Sequence, residues 1–317
     1  MEMKPPPNVR IAVDDVEKRR DDFLSYRSSH IGSSDIAAIA GLDKWKTPLD
    51  VWAEKTGRIP PKEDNDTLWY GRKLEPVVGE LFTRRTGMEV VRPCQVWQSN
   101  LYPWASMSPD FMVLGAEGVL GLLETKAPRS YQKDQWAADQ APDSAHVQLM
   151  WQLGLSGYNR GWCGAIVGGS VHDSYFPEFA YDDAIFQQLL EMGRKFYEEN
   201  IVKDIAPEPD SRDTKLLNSM FKPEEKTIDL PVEAEDLFMK WEELERVKKK
   251  TAKELKEIEE EAEKVKNGFK LLLGGASCGR LGSFECKIKA VPVKSYVVEA
   301  KTQYRFSAGL IKETTCS

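Results

Sequence analysis

Hydrophobic positions along the chain switch between two periods, and each switch marks an element boundary. Residues 1–20 open on Pro5, Pro6 and Pro7 and run on into charge, which predicts a flexible lead-in. A short amphipathic stretch from Asp21 to Tyr26 precedes Arg27. In the run 30–42, Ser33, Ser34 and Asp35 are natural N-caps for a helix ending near Gly41. A second helix follows Pro48 and closes on Gly57, residues 60–66 read as a loop, and a third helix runs from about Asp66 through Arg85 to Gly87. From Met88 alternation takes over. Residues 88–99, 104–115 and 121–128 read as three strands of a β-meander. A helix over 145–155, strands over 161–169 and near 174–181, and an amphipathic helix over 182–203 follow. The order predicts an α/β fold whose central mixed sheet has helices on both faces.

Beyond Pro231 the pattern changes again. Residues 233–267 are almost all Glu, Lys and aliphatic, with no Gly or Pro until Gly268. Leu237, Trp241, Leu244, Thr251, Leu255, Ile258, Ala262 and Val265 alternate spacings of four and three, broken at Lys248. That is a heptad-type seam on one long helix. The following residues, 279–300, predict two strands, with a short last strand at 303–312. Three regions result: a lead-in over 1–20, a main domain over 21–230, and a long helix with a β-hairpin appendage over 231–317.

Composition removes several classes. No run of eighteen apolar residues occurs among the 317, so no membrane-spanning helix is expected. The N-terminus lacks the apolar core of a signal peptide, which points to a cytoplasmic protein. Five scattered cysteines form no CxxC pair, and three histidines show no metal-binding spacing. Any metal chemistry therefore rests on carboxylates. Net charge is −7, yet the residues from Lys264 onward carry +7, leaving −14 on the rest. An acidic body with a basic tail suits an enzyme acting on nucleic acid, with metal ligands in one part and phosphate contacts in the other; an uneven solvated surface gives the same numbers.

The carboxylates supply the chemistry. Asp110 lies in Ser-Pro-Asp-Phe, where a strand begins, and Glu124 and Lys126 flank Thr125 late in the next strand. Residues two apart on a strand share a face, so Glu124 and Lys126 point the same way. If the two strands pair as a hairpin, Asp110 lies beside Glu124. Two close carboxylates repel, and a hard divalent cation such as Mg²⁺ offsets the repulsion. The lysine can then orient a water or stabilise charge developing on a phosphate. Around this core stand Arg27 and Ser34, seven apart, Glu75 in a Gly-x-x-x-Glu run, and Gln148 on the helix after Lys126.

Asp110, Glu124 and Lys126 make a PD-(D/E)xK pattern. With Arg27, Ser34, Glu75 and Gln148 in order, residues 23 to 165 resemble the lambda exonuclease and YqaJ-like viral recombinase family of those nucleases. The resemblance implies a restriction-endonuclease-like core and a Mg²⁺-dependent 5′→3′ double-strand DNA exonuclease of phage or prophage recombination, with Mn²⁺ expected to substitute. It implies that Asp110, Glu124, the Thr125 carbonyl and Glu75 hold metal. Lys126 would be the catalytic lysine and Gln148 would hold the site's geometry. Arg27, Ser34 and Ser108 would bind the 5′-phosphate. Its expected partners are duplex DNA ends, a single-strand annealing protein and copies of itself in a trimer, in the cytoplasm of a bacterial host.

Each residue also has a plainer reading. Glu75 is explicable as an exposed helix acid, Gln148 as a surface glutamine, Ser34 as a helix cap and Lys126 as a strand-edge lysine. Gln152 stands where the related Gln-x-x-x-Tyr pattern has tyrosine. His30 and His146 read as polar neighbours. Trp45, Trp52 and Trp69 are expected in the core, with base stacking open to one of them. At the level of function, a structure-selective or sequence-specific endonuclease on the same core and a non-catalytic DNA-binding adaptor remain alternatives. An iron–sulfur nuclease is excluded, because the first cysteine is Cys94 inside the meander.

Overall fold

Capping side chains decide where the first helices begin. A computed structural model describes residues 4–60, 65–222, 225, 227–281 and 283–288. In it β1 (Val9–Val13) leads to α1 (Arg20–Ser28), α2 (Ser33–Ile39), α3 (Pro48–Lys55) and α4 (Asp66–Thr86). The Thr47 hydroxyl accepts from Asp50 N–H at 3.1 Å, and the Asp50 carboxylate accepts from Thr47 N–H at 2.9 Å, which starts α3. Asn65 caps α4 by accepting from the N–H groups of Thr67 and Leu68, and Gly87 ends it at φ 76°.

Two expectations need correction here. Residues 1–20 are not a loose lead-in throughout: β1 pairs antiparallel with a later strand and buries Val9 and Val13. The cap of α2 is Gly32, whose N–H donates to Asp35 at 3.1 Å. Ser34 therefore sits inside the first turn and does not cap the helix.

The expected meander splits. Its first segment becomes β2 (Val90–Val91) and β3 (Val96–Ser99), parted at Pro93 and at Cys94, which sits at φ 52°. Its second becomes β4 (Ser106–Met107) and β5 (Phe111–Gly115), parted at Pro109, which has no N–H for a ladder. A small antiparallel sheet runs β1-β3-β4. The main sheet takes β5, then β6 (Gly118–Lys126), β7 (Arg160–Ile166), β8 (Ser174–Tyr175) and β9 (Glu178–Ala180). Its order is β2-β5-β6-β7-β8, with β9 also on β7. The crossover through α5 (Asp143–Ser156) makes β6 and β7 parallel, while the other neighbours are antiparallel, so the sheet is mixed.

Alternation along β6 assigns the two faces. Leu123 joins Phe82, Phe111, Val113 and Trp162 beneath α4. Leu122 faces the larger core, with Ile36 of α2, Met150 and Leu153 of α5, and Phe186 of α6 (Asp183–Phe196). Gly79 lets α4 come close to β5: a Cβ there would meet the Phe111 ring at 2.7 Å. That approach seats Glu75, one turn earlier, over the start of β5.

The chain divides into two compact units, Met1–Lys222 and Pro223–Ser317. The first ends with α7 (Thr214–Met220). The second holds α8 (Ala234–Leu273), which continues through Gly268, and a hairpin of β10 (Cys278–Leu281) and β11 (Phe284–Lys287). None of the described side chains of α8 is buried, and Leu237, Leu244, Leu255, Ile258 and Val265 of its seam are exposed. The strand expected at 303–312 lies outside the described residues. Among the described residues no helix is long and apolar enough to cross a membrane.

Candidate active site

The β5–β6 hairpin builds the site. Phe111 pairs with Leu123, so Asp110 reaches the end of β6. Its Oδ2 accepts from Thr125 N–H and from Thr125 Oγ1, both at 2.7 Å. Glu124 and Lys126 share the face of Leu122 and point to α5. Lys126 Nζ donates to Glu124 Oε1 at 2.6 Å and to Gln148 Oε1 at 2.8 Å. One helical turn beyond Gln148, Gln152 Nε2 donates to Glu124 Oε2 at 2.7 Å. Glu124, Thr125, Gln148 and Gln152 are all buried. A cavity of about 510 Å³ opens beside Lys126 and Gln148, with Trp45 and Trp136 also in its lining.

Burial drives the electrostatics. It pushes the Asp110 carboxyl up to about 8, with the charges of Glu124 and Glu75 adding and Lys126 opposing. Burial alone would pull the Lys126 ammonium down, but the charges of Glu124 and Asp110 outweigh it and hold it above its ordinary value. The Glu75 carboxyl is raised by burial, against the nearby Arg92 charge. Glu75 Oε2 accepts from Arg92 at 2.9 Å. Among the described residues no three His, Cys, Asp or Glu side chains stand together as a metal cage. Glu124 is within electrostatic reach of Asp110. Glu75 is within electrostatic reach of Asp110 but is paired with Arg92.

A second cluster forms around α2. Arg27 donates to Ser34 Oγ at 2.9 Å and stands 3.7 Å from Asp35 Oδ1. Asp35 has no exposed side chain surface, yet Lys46 at 3.0 Å and Lys55 at 2.6 Å also meet it. Burial would raise the Asp35 carboxyl, but Lys55, Lys46 and Arg27 outweigh it and hold the group far below the ordinary range. Ser108 is exposed, donates to the Gln95 carbonyl at 3.0 Å, and makes no hydrogen bond to Arg27 or Ser34. The bridge between Ile31 and Ala105 ties the segment carrying Arg27 to the strand before Asp110.

Sequence reasoning missed Arg92, Asp35, Lys46 and Lys55 as site neighbours. Gln152 was visible only as a departure from a pattern, although its i, i+4 spacing from Gln148 puts both on one helix face. Only Trp52 of the three named tryptophans is in the core; Trp45 is 78% exposed and Trp69 52%. Gln148 is buried, which overturns its plain surface reading. His30 stacks on Tyr26 and His146 lies against Phe179, away from the acids.

Residues 22–159 match the family model described as the YqaJ-like viral recombinase domain. That stretch is similar to the YqaJ-like domain. The chain is 26% identical over 292 residues to the uncharacterized protein YqaJ of Bacillus subtilis, covering 90% of this chain and 87% of that one. A solved alkaline exonuclease, LHK-Exo from Laribacter hongkongensis, is 18% identical with a TM-score of 0.48, over 58% of this chain and 93% of that one. A phage-related exonuclease from Haemophilus somnus is 11% identical, with a TM-score of 0.40 over 56% and 96%. The matched stretch spans Arg27, Ser34, Glu75, Asp110, Glu124, Lys126 and Gln148.

Proposed function

We propose that the YqaJ-like domain is a metal-dependent 5′→3′ exonuclease that acts on ends of duplex DNA. The observation that carries this reading is the Asp110–Glu124–Lys126 group, held by one hairpin and braced by Gln148 and Gln152 from one helix. Hard carboxylate oxygens on a site whose buried acids repel fit Mg²⁺, or Mn²⁺ in its place. Asp110, Glu124 and the Thr125 carbonyl would hold the ion, with Glu75 joining if it left Arg92. Bound there, it would supply Lewis-acid stabilisation of the phosphoryl oxygens.

The chain's own groups supply the rest. Lys126 Nζ has donors in two directions already, toward Glu124 and Gln148, so its third N–H is left to aim at a water or phosphoryl oxygen. Gln148 and Gln152 fix the Lys126–Glu124 pair so that it need not reorganise during reaction. Arg27 and Ser34, with Ser108 in the same part of the fold, would take the 5′-phosphate. The resulting 3′ single strand would pass to a single-strand annealing protein, in a phage or prophage recombination pathway inside a bacterial host. A homotrimer, which the resemblance implies, is part of the same proposal.

Nucleotide release from linear duplex, with and without Mg²⁺, tests the reading. We expect Mg²⁺-dependent mononucleotides from linear DNA and none from covalently closed circles. Cleavage of closed circles at a comparable rate would replace the exonuclease with an endonuclease.

A further inference from the structure

The cluster around Asp35 is one negative charge short. It gathers three cations, Arg27, Lys46 and Lys55, on two carboxylates, Asp35 and Glu54. Much of it is withdrawn from water: side-chain exposure is 0% for Asp35, 3% for Lys55 and 16% for Lys46. A surplus charge in such a place is expensive unless an anion joins it.

Hydrogen-bond counting separates the two lysines. An ammonium has three donors. Lys55 uses all of them, on the Arg27 carbonyl at 2.5 Å, the His30 carbonyl at 2.6 Å and Asp35 Oδ2 at 2.6 Å. Those bonds tie the backbone that carries Arg27 to α2 and leave Lys55 nothing for a ligand. Lys46 uses two, on Asp35 Oδ1 at 3.0 Å and Glu54 Oε2 at 2.5 Å. Its third meets no acceptor among the described residues. Arg27 spends one N–H on Ser34 and still has the larger part of its fork, with 41% of its side chain exposed. Arg27 at 3.7 Å and Lys46 at 3.0 Å both approach the same oxygen, Asp35 Oδ1, so their charged ends are neighbours that one anion could bridge.

We infer that Lys46 is a second phosphate-binding residue beside Arg27, and that Asp35 and Lys55 are positioning residues that aim both cations. The ligand is a terminal phosphate monoester, which carries nearly two negative charges at neutral pH and so exceeds an internal diester by about one. A positive surplus attracts any phosphate, and it attracts the more highly charged monoester more strongly than the diester. This inference rests on the end-recognition reading above and deepens it by adding residues the motif does not contain.

The test uses the full chain and duplexes that end in either a 5′-phosphate or a 5′-hydroxyl. Both digestion in Mg²⁺ and binding by anisotropy in chelator are measured. Lys46→Gln should lower the preference for the phosphorylated end about tenfold or more, the range of a lost charge-assisted hydrogen bond. Lys46→Arg should recover part of it. Lys55→Met should also lower the preference, and Lys46→Gln keeps the test open should Lys55→Met fail to fold, since Lys46 is partly exposed and its melting temperature can be checked. A selective wild type with an equally selective Lys46→Gln would overturn the inference and leave the exonuclease reading standing. Equal losses on both ends would also overturn it, by making Lys46 a general DNA contact. A wild type that digests DNA without regard to the 5′ group would instead remove the end-recognition reading itself.

Discussion

Asp110 is partly buried and Asp35 fully buried, and their surroundings drive the two carboxyls in opposite directions. Around Asp110, burial and the charges of Glu124 and Glu75 outweigh Lys126, and the carboxyl rises to about 8. Around Asp35, two acids face three cations, and the carboxyl is held down. Negative charge prevails at Asp110 and positive charge at Asp35. Burial supplies the penalty in both places, and the local count of partners decides its sign. The deficits match the two ends of the proposed reaction: a cation where the bond breaks, and an anion where the strand begins.

The largest expected effect comes from deepening the first deficit's loss of ligands. Asp110→Ala or Glu124→Ala should reduce nucleotide release by about a thousandfold or more, while binding to phosphorylated ends persists. Lys126→Ala should do the same with cation binding retained, because an ammonium is no ligand for Mg²⁺. Ordinary turnover in any of the three would break the assignment of the acid-rich cluster.

Next is Asp35→Asn, which leaves Lys46 and Lys55 without their shared counter-charge. It should cost about 3–5 kcal/mol of stability at neutral pH, read by denaturant titration. A group held below its ordinary pKa stabilises the fold above that ordinary value, and the gain disappears as pH falls. The Asn variant should therefore converge on wild type in acid.

Asp110 should show the reverse slope. A carboxyl raised from 3.8 to about 8 favours the fold when protonated. In chelator, wild-type stability should decline as pH rises from about 4 to about 8, and Asp110→Asn should flatten that decline. Added Mg²⁺ should restore wild type but not the variant. A melting temperature that climbs with pH over this window in chelator, and equally in both proteins, would remove the asymmetry between the clusters.

Smaller effects sharpen the picture. Arg27→Ala should slow digestion of 5′-phosphorylated ends about tenfold more than of 5′-hydroxyl ends. Gln152→Leu should slow turnover severalfold through Glu124, whose Oε2 it holds, with little change in end binding.

The acid-rich cluster was legible in the sequence because each of its links is local. Strand alternation puts Glu124 and Lys126 together, and a tight hairpin returns Asp110 to them. The cation-rich cluster was only half legible. Arg27 and Ser34 stand within one helical neighbourhood, but Lys46 and Lys55 reach Asp35 from eleven and twenty residues away across two turns. No periodicity encodes that meeting. The strand breaks at Cys94 and Pro109 were missed because a single positive φ or a missing N–H interrupts an otherwise continuous alternation. Glu75 was a ligand only by the resemblance, while its partner Arg92 lies in the irregular segment after β2.

Gly79 sets the spacing between α4 and the sheet by what it lacks. A single added carbon would press on the Phe111 ring, and Phe111 is the neighbour of Asp110 in the chain. Crowding on one side of the helix would thus be felt at the carboxylate on the other side of that ring. Position 79 acts as a mechanical stop for the site, at a distance from any reacting atom. Gly79→Ala is expected to give a heat-sensitive protein, read as a lowered melting temperature with nucleotide release kept in the cold.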